Sequence, residues 1–178
     1  MMRMFFLLLL ILLPQGAWGQ TTVYLTKEEA LKFIFPSSTF VNERKTLMEE
    51  QKTAVEKELK SKLRKTEWEF AVAKTGGRID GYALVDNEIG KTEPITFLTA
   101  ITPKGEVKAV EVLVYRESHG SAVHERRFVD QFKGKNADQP FKAGQDITNI
   151  TGATLSVKGV ARGVKRALFL WKVFYGKN

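Results

Sequence analysis

Ile95-Thr-Phe-Leu-Thr-Ala-Ile101, Thr102-Pro-Lys-Gly-Glu106 and Val107-Lys-Ala-Val-Glu-Val-Leu-Val-Tyr115 follow one another without a break, and the fold turns on how they read. Two runs rich in β-branched and aromatic residues flank five residues holding Pro103 and Gly105, the pattern of a β-hairpin. Upstream, Trp68, Phe70 and Val72 alternate with polar or small residues, Gly76-Gly77 marks a turn, and Tyr82–Val85 reads as a further strand. Downstream, residues 122–132 read as helical and 133–145 as a loop with a turn at Ala143-Gly144. Ile147–Ile150 then reads as a short β-segment. Val157, Val160, Ala161, Val164, Ala167, Leu168 and Trp171 recur at three- and four-residue intervals, predicting a last helix with one buried face.

Nearer the start, Thr26-Lys-Glu-Glu29 is a capping box opening a helix through Ala30, Leu31 and Ile34 that stops before Pro36. A turn over 36–40 leads into a charged helix expected from Glu43 to Arg64, with Leu47, Val55, Leu59 and Leu63 on a thin stripe. Strands grouped together with helices at both ends predict an α+β fold with a mainly antiparallel sheet in a single domain.

The hexapeptide Thr151-Gly-Ala-Thr-Leu-Ser156 lies between the stub and the last helix, so it forms a turn into a helix start. Gly152 and Ala153 leave little bulk around the Thr154 hydroxyl. The first turn of a helix also presents unpaired N–H groups and a positive dipole end, which suit a phosphate. The alternative is a plain N-cap by Thr154 or Ser156. A threonine hydroxyl is a poor nucleophile at neutral pH, and no His or Cys lies near Thr154 in sequence. Any covalent chemistry there needs another protein's base or metal.

This hexapeptide resembles the flavinylation motif of the covalent FMN-binding domain family, which includes the flavin-carrying subunits of sodium-pumping quinone reductase and related ion-pumping electron-transfer complexes. The resemblance implies that Thr154 is esterified to the phosphate of FMN by a separate flavin transferase consuming FAD, with Thr151 at the first motif position and Ser156 at the usual later hydroxyl. The family commonly has an acidic residue six positions before the acceptor, where this chain has Thr148; its nearest acid is Asp146. Tyr115-Arg-Glu-Ser-His-Gly120 and Phe128-Val-Asp-Gln-Phe-Lys-Gly-Lys135 resemble the family's second signature, and Gly81-Tyr-Ala83 with Glu88-Ile-Gly-Lys91 resembles the start of its domain. The resemblance implies a twisted antiparallel sheet backed by helices, with the flavin held at one rim. It places Glu117, Ser118, His119 and Gly120 in the cofactor pocket with Thr151, Gly152, Ala153, Thr154, Leu155 and Ser156. The implied function is an electron carrier relaying between redox partners, a membrane complex among them. The alternatives are a flavin-free binding module of the same fold and a stand-alone flavin reductase.

Residues 1–19 carry a positive Arg3, the apolar run Met4–Leu13 and Ala17-Trp-Gly19, the pattern of a cleaved export signal, with a retained anchor as the alternative. That gives three expected parts: a signal at 1–19, an N-terminal helical segment at 20–65 and the FMN-binding domain at 66–178. The product is expected in the periplasm or outside the cell. The chain has no cysteine, which excludes a disulfide framework and a lipoprotein anchor. With 28 basic and 20 acidic residues the formal charge is +8. We read this as a solvated basic face that favours anionic partners, since no nucleic-acid fold signature accompanies it.

His119 and His124, with Glu117 and Glu125 nearby, are a weak metal pattern, and polar positions near the flavin are the preferred reading. Glu117 is also a candidate general acid. Asn149-Ile-Thr151 is a glycosylation sequon by pattern alone. Lys158, Arg162, Lys165 and Arg166 are expected on the polar side of the last helix, with Lys158 the candidate neighbour of a phosphodiester. Gly159 and Gly163 are expected to let that helix approach the sheet closely.

Overall fold

A computed structural model describes residues 21–176. Its centre is one six-stranded antiparallel sheet, which the alternating patterns dictate. The strands are β1 (Thr22–Val23), β2 (Thr39–Thr46), β3 (Glu67–Thr75), β4 (Arg78–Ile89), β5 (Pro94–Ile101) and β6 (Val107–Tyr115), in the spatial order β1-β6-β5-β4-β3-β2. The β5–β6 hairpin and the Gly76-Gly77 turn form where the sequence puts them. The strand expected at Tyr82–Val85 runs further at both ends.

Two longer helices cover the sheet, α1 (Lys27–Ile34) and the last helix, which follows a single-turn α3 (Arg126–Val129) and is therefore α4 (Thr154–Tyr175), while α2 (Glu49–Leu59) packs against α4. The capping box at the start of α1 forms as its sequence requires, Thr26 and Glu29 satisfying each other's backbone N–H. Side-chain alternation sorts the sheet into two faces. Phe70, Val72, Leu84, Phe97 and Val112 point to α4, while Ala71, Ala73, Ala83, Leu98 and Ala100 pack under α1. The small residues on the second face let α1 lie close.

The charged helix expected over Glu43–Arg64 is corrected. Residues 39–46 form edge strand β2, paired with β3 along its length, and the helix begins only at Glu49. An edge strand exposed along much of both faces reads Thr-Phe-Val-Asn-Glu-Arg-Lys-Thr, polar because charge on an open edge blocks stray pairing. Residues 20–65 thus supply both edges of the sheet, β1 on one side and β2 on the other. Two more corrections are local. Residues 121–132 form three short turns of 3-10 and α-helix in place of one helix, and Ile147–Ile150 makes one bridge, Ile147 to Ala143, where a strand was expected. The apolar run read as an export signal lies outside the described residues. Among the described residues no helix is long and apolar enough to cross a membrane.

The apolar stripe of α4 is fully buried, each Val or Leu in it contributing roughly 1.5–3 kcal/mol. Gly163 explains how closely the helix lies: a Cβ there would sit 2.3 Å from Phe97 Cζ. The expectation of a solvated polar side is overturned at Arg166, which is largely covered, while Arg162 stays exposed although it is paired. Arg166 donates to Asp86 (Nε to Oδ2 2.8 Å) and to Glu88, and Arg162 donates to Glu88 (Nε to Oε2 3.0 Å). Both carboxylates are buried on β4. Burial works against the Glu88 charge, but hydrogen bonds from Arg162 and the positive charge of Arg166 hold it below the usual carboxylate range. The Trp68 ring covers the Arg166 guanidinium at 5.7 Å. Two arginines, in three ion pairs, therefore clamp α4 to the middle of the sheet.

Candidate functional site

Two segments meet at the rim of the sheet. One leaves the end of β6 as residues 116–120; the other is the turn into α4. The Ala153 N–H bonds to Ile150 O at 2.9 Å, and Gly152 takes a φ of +78° to close this turn. The helix then starts at Thr154 with Ala153 as its N-cap, and no side chain caps it. The reading of Thr154 or Ser156 as an N-cap is thereby overturned. Thr154 sits inside the first turn, partly exposed, and its Oγ1 accepts a 2.9 Å hydrogen bond from the Asn149 side-chain amide. No acidic residue lies in this turn, so its N–H groups and the dipole end face the cleft without a built-in counter-charge.

The facing wall is fixed by Tyr115 and Gly120. The Tyr115 phenol, buried at the end of β6, donates to His119 O and lies 3.2 Å from Ser156 Oγ. Gly120 adopts a φ of +85°, and a Cβ on it would meet Tyr115 Oη at 2.9 Å and Ala153 Cβ at 3.0 Å. The backbone of the 117–120 segment is thus pressed against the turn into α4, a contact only glycine permits.

Glu117 borders the cleft, but its carboxylate turns away to cradle the β4–β5 turn. It accepts from Thr92 N at 2.7 Å, Glu93 N at 3.0 Å and Thr92 Oγ1 at 3.0 Å. Burial opposes its charge, yet these donors outweigh burial and hold it below the usual carboxylate range. A group held ionised by three donors is a poor proton donor, which corrects the general-acid reading. Its effect is positional: it draws Lys91 to the rim of the cleft.

Together the residues enclose a cleft of about 700 Å³ lined by Lys91, residues 117–120 and residues 151–156. Small-molecule sites run roughly 300–1,000 Å³, so it has room for a phosphate-bearing ligand of cofactor size. Glu117, Ser118, His119 and Gly120 are brought together with Thr151, Gly152, Ala153, Thr154, Leu155 and Ser156 around this cleft. Leu155 is half exposed at the mouth, an apolar surface beside the uncapped helix end. Ser118 Oγ and His119 Nδ1 are 2.8 Å apart, whereas His124 stacks on Tyr24 and bonds Ser121 O. The two histidines face different surroundings, and among the described residues no group of three or more metal-ligating side chains converges.

Lys158 does not line this cleft; it faces a separate groove with Lys142 and Lys165. Two residues not assigned to the cleft from the sequence do matter. Lys91 brings a cation to the cleft, and Asn149 holds the Thr154 hydroxyl. The Glu88-Ile-Gly-Lys91 segment offered a signal for the first, while for the second only proximity in sequence did. Asp146 is not a displaced acid of the motif. Its carboxylate bonds Phe141 N at 3.1 Å and Lys142 N at 2.6 Å and pairs with Lys135, pinning the preceding loop.

A cleft at the rim of an antiparallel sheet opens onto an uncapped helix start, a geometry suited to an anionic ligand. Residues 90–169 match the family described as FMN-binding domain. The match spans β5, β6, the 117–120 segment and most of α4, the parts that make the cleft. One subunit of the proton-translocating ferredoxin:NAD(+) oxidoreductase complex of Clostridium ljungdahlii is 29% identical over 115 residues, 61% of this chain and 62% of that protein. This chain therefore spans less than two thirds of that relative's length. The crystal structure of Shewanella oneidensis NqrC superposes with a TM-score of 0.50 over 74% of this chain and 67% of that one, at 18% identity, and shares the fold.

Proposed function

We propose that this protein is an exported electron carrier with FMN joined through a phosphoester to Thr154. The observation that carries the proposal is the Thr154 hydroxyl itself. It lies in the first turn of a helix without side-chain cap or acidic neighbour, at the rim of a cleft of cofactor size. When bound, FMN takes up and returns one or two electrons. The chain's own residues supply the rest. The N–H groups at the start of α4 receive the phosphate, Gly152 and Ala153 keep the approach open, and Lys91 offsets negative charge. The 117–120 backbone and Leu155 bound the ring system. Covalent attachment suits a protein outside the cytoplasm, where a lost flavin is not readily replaced.

No nucleophile-activating base stands beside Thr154 among its hydrogen-bond partners, which supports maturation by a separate flavin transferase. The relationship to a subunit of an oxidoreductase complex supports redox partners on both sides, a membrane complex among them.

Mass spectrometry after co-expression with a flavin transferase tests the reading. The expected result is a mature chain starting at or near Gln20, recovered from the periplasm or cell exterior. It carries one FMN less water, yellow after acid denaturation and absent in Thr154→Ala. A colourless wild-type protein of unmodified mass would instead make this a flavin-free binding module of the same fold.

A further inference from the structure

Asn149 Nδ2 lies 2.9 Å from Thr154 Oγ1, five residues along the chain and across the turn that Gly152 closes. We infer that Asn149 is the positioning residue of the acceptor, its side-chain amide holding the Thr154 hydroxyl in one rotamer with the proton directed outward. This rests on the attachment reading above and deepens it.

The direction of the bond is what matters. An amide nitrogen carries hydrogens and offers no lone pair, so Thr154 Oγ1 is the acceptor in this pair. One lone pair of Oγ1 is thereby engaged. The hydroxyl proton and the other lone pair remain free for a reaction partner. Asn149 does not cap the helix, since no side chain does, so the contact serves the hydroxyl and leaves the helix N–H groups free.

In attachment, the Oγ1–P bond forms and the P–O bond inside the FAD pyrophosphate breaks. AMP leaves with that electron pair, the Oγ1 proton passes to a base of the transferase, and nothing is oxidised or reduced. Negative charge grows on Oγ1 as its proton departs. A donor already aimed at that atom stabilises the charge and needs no rearrangement to do so.

The test uses the full mature chain with FAD and a flavin transferase, and measures the free protein as well. Three-bond couplings of the Thr154 methyl carbon to its own backbone N and C′ are expected to report one rotamer in wild type and an average in Asn149→Ala. Flavinylation of Asn149→Ala is expected to slow by about threefold to tenfold, the bias one hydrogen bond provides, in kcat more than in KM for FAD. Asn149→Asp keeps the shape but has no N–H at neutral pH, and is expected to slow as much, separating donation from packing. Couplings in Asn149→Ala that match wild type, or Asn149→Asp modified at the wild-type rate, would overturn the inference. A wild-type chain that is never modified, but whose couplings average on Asn149→Ala, sinks the attachment reading and leaves the positioning contact standing.

Discussion

Ser156 Oγ, in the first turn of α4, lies 3.2 Å from the phenol oxygen of Tyr115, the last residue of β6. The same phenol donates to His119 O, so one buried hydroxyl ties the helix start to the 117–120 segment. The distance between the two walls of the cleft is set by this residue.

Tyr115→Phe leaves the ring packing intact and removes both contacts. We expect a loss of about 1–2 kcal/mol in urea unfolding, from two hydrogen bonds at a buried site. The absorbance of bound flavin is expected to shift as residues 117–120 loosen, with attachment at Thr154 persisting. An unchanged spectrum would place the flavin ring away from this wall.

Gly163→Ala adds a Cβ that would overlap the Phe97 ring. Since Phe97 is wholly buried, the helix must lift or the ring must leave its rotamer, at a cost of about 1–3 kcal/mol. A thermal melt reads the effect. Gly152→Ala meets no neighbouring atom and is strained only through its positive φ, so its loss is expected to be smaller.

Arg166→Met removes the guanidinium that serves both Asp86 and Glu88. Truncating one side of a buried pair leaves charge unpaired, and a loss of about 3–5 kcal/mol is expected in urea unfolding. Lys65→Ala, an exposed cation resting over Trp68, is expected to cost less than about 1 kcal/mol.

Glu117 predicts an acid-sensitive rim. Its folded pKa lies below the free value of 4.5, so its contribution is complete above that value and disappears as pH falls through the lower, folded one. Hydrogen exchange at the Thr92 and Glu93 amides is expected to lose protection as the pH falls past the free carboxylate value and through the lower, folded one, relative to neighbouring amides of β4 and β5. Glu117→Gln is expected to remove that pH dependence and to lower protection at neutral pH, because a neutral amide oxygen accepts the two N–H groups more weakly than a carboxylate and its NH2 cannot accept from Thr92 Oγ1. Protection that stays flat across this range would show that the carboxylate does not hold the turn.

Thr148→Asp places an acid six residues before Thr154. Thr148 is exposed and only its backbone N–H is engaged, by Gln131 Oε1, so the change carries little structural cost. Asp146 cannot substitute, because its carboxylate is committed to the loop at 141–142. Faster flavinylation of Thr148→Asp in a timed transferase assay is the expected outcome, and an unchanged rate would show that this chain is recognised without the acid.

The strands from β3 to β6 were legible because Trp68, Phe70 and Val72, or Phe97 and Val110, alternate against turns rich in glycine. The buried stripe of α4 was legible for the matching helical reason. Strand β2 was not, since Glu43, Arg44 and Lys45 on an edge exposed along both faces look like a solvated helix until a neighbouring strand is present. Nor was the clamp: Asp86 and Glu88 resemble surface acids, and their partners come 74 to 80 residues later. The cleft segments were visible as motifs, but the position of Lys91 depends on Glu117 reaching back 24 to 25 residues to hold its turn.

Those same separations set the order in which the molecule takes shape. The turn at 151–154 acquires its geometry only when α4 docks, and α4 docks through contacts to β4, β5 and the end of β6 that span 41 to 80 residues. Pairings that distant carry the largest loop-closure cost and form late. A nascent or half-folded chain therefore carries Thr154 in sequence without presenting it. Only a finished molecule offers its hydroxyl, so a modifying enzyme that reads the turn also inspects the fold.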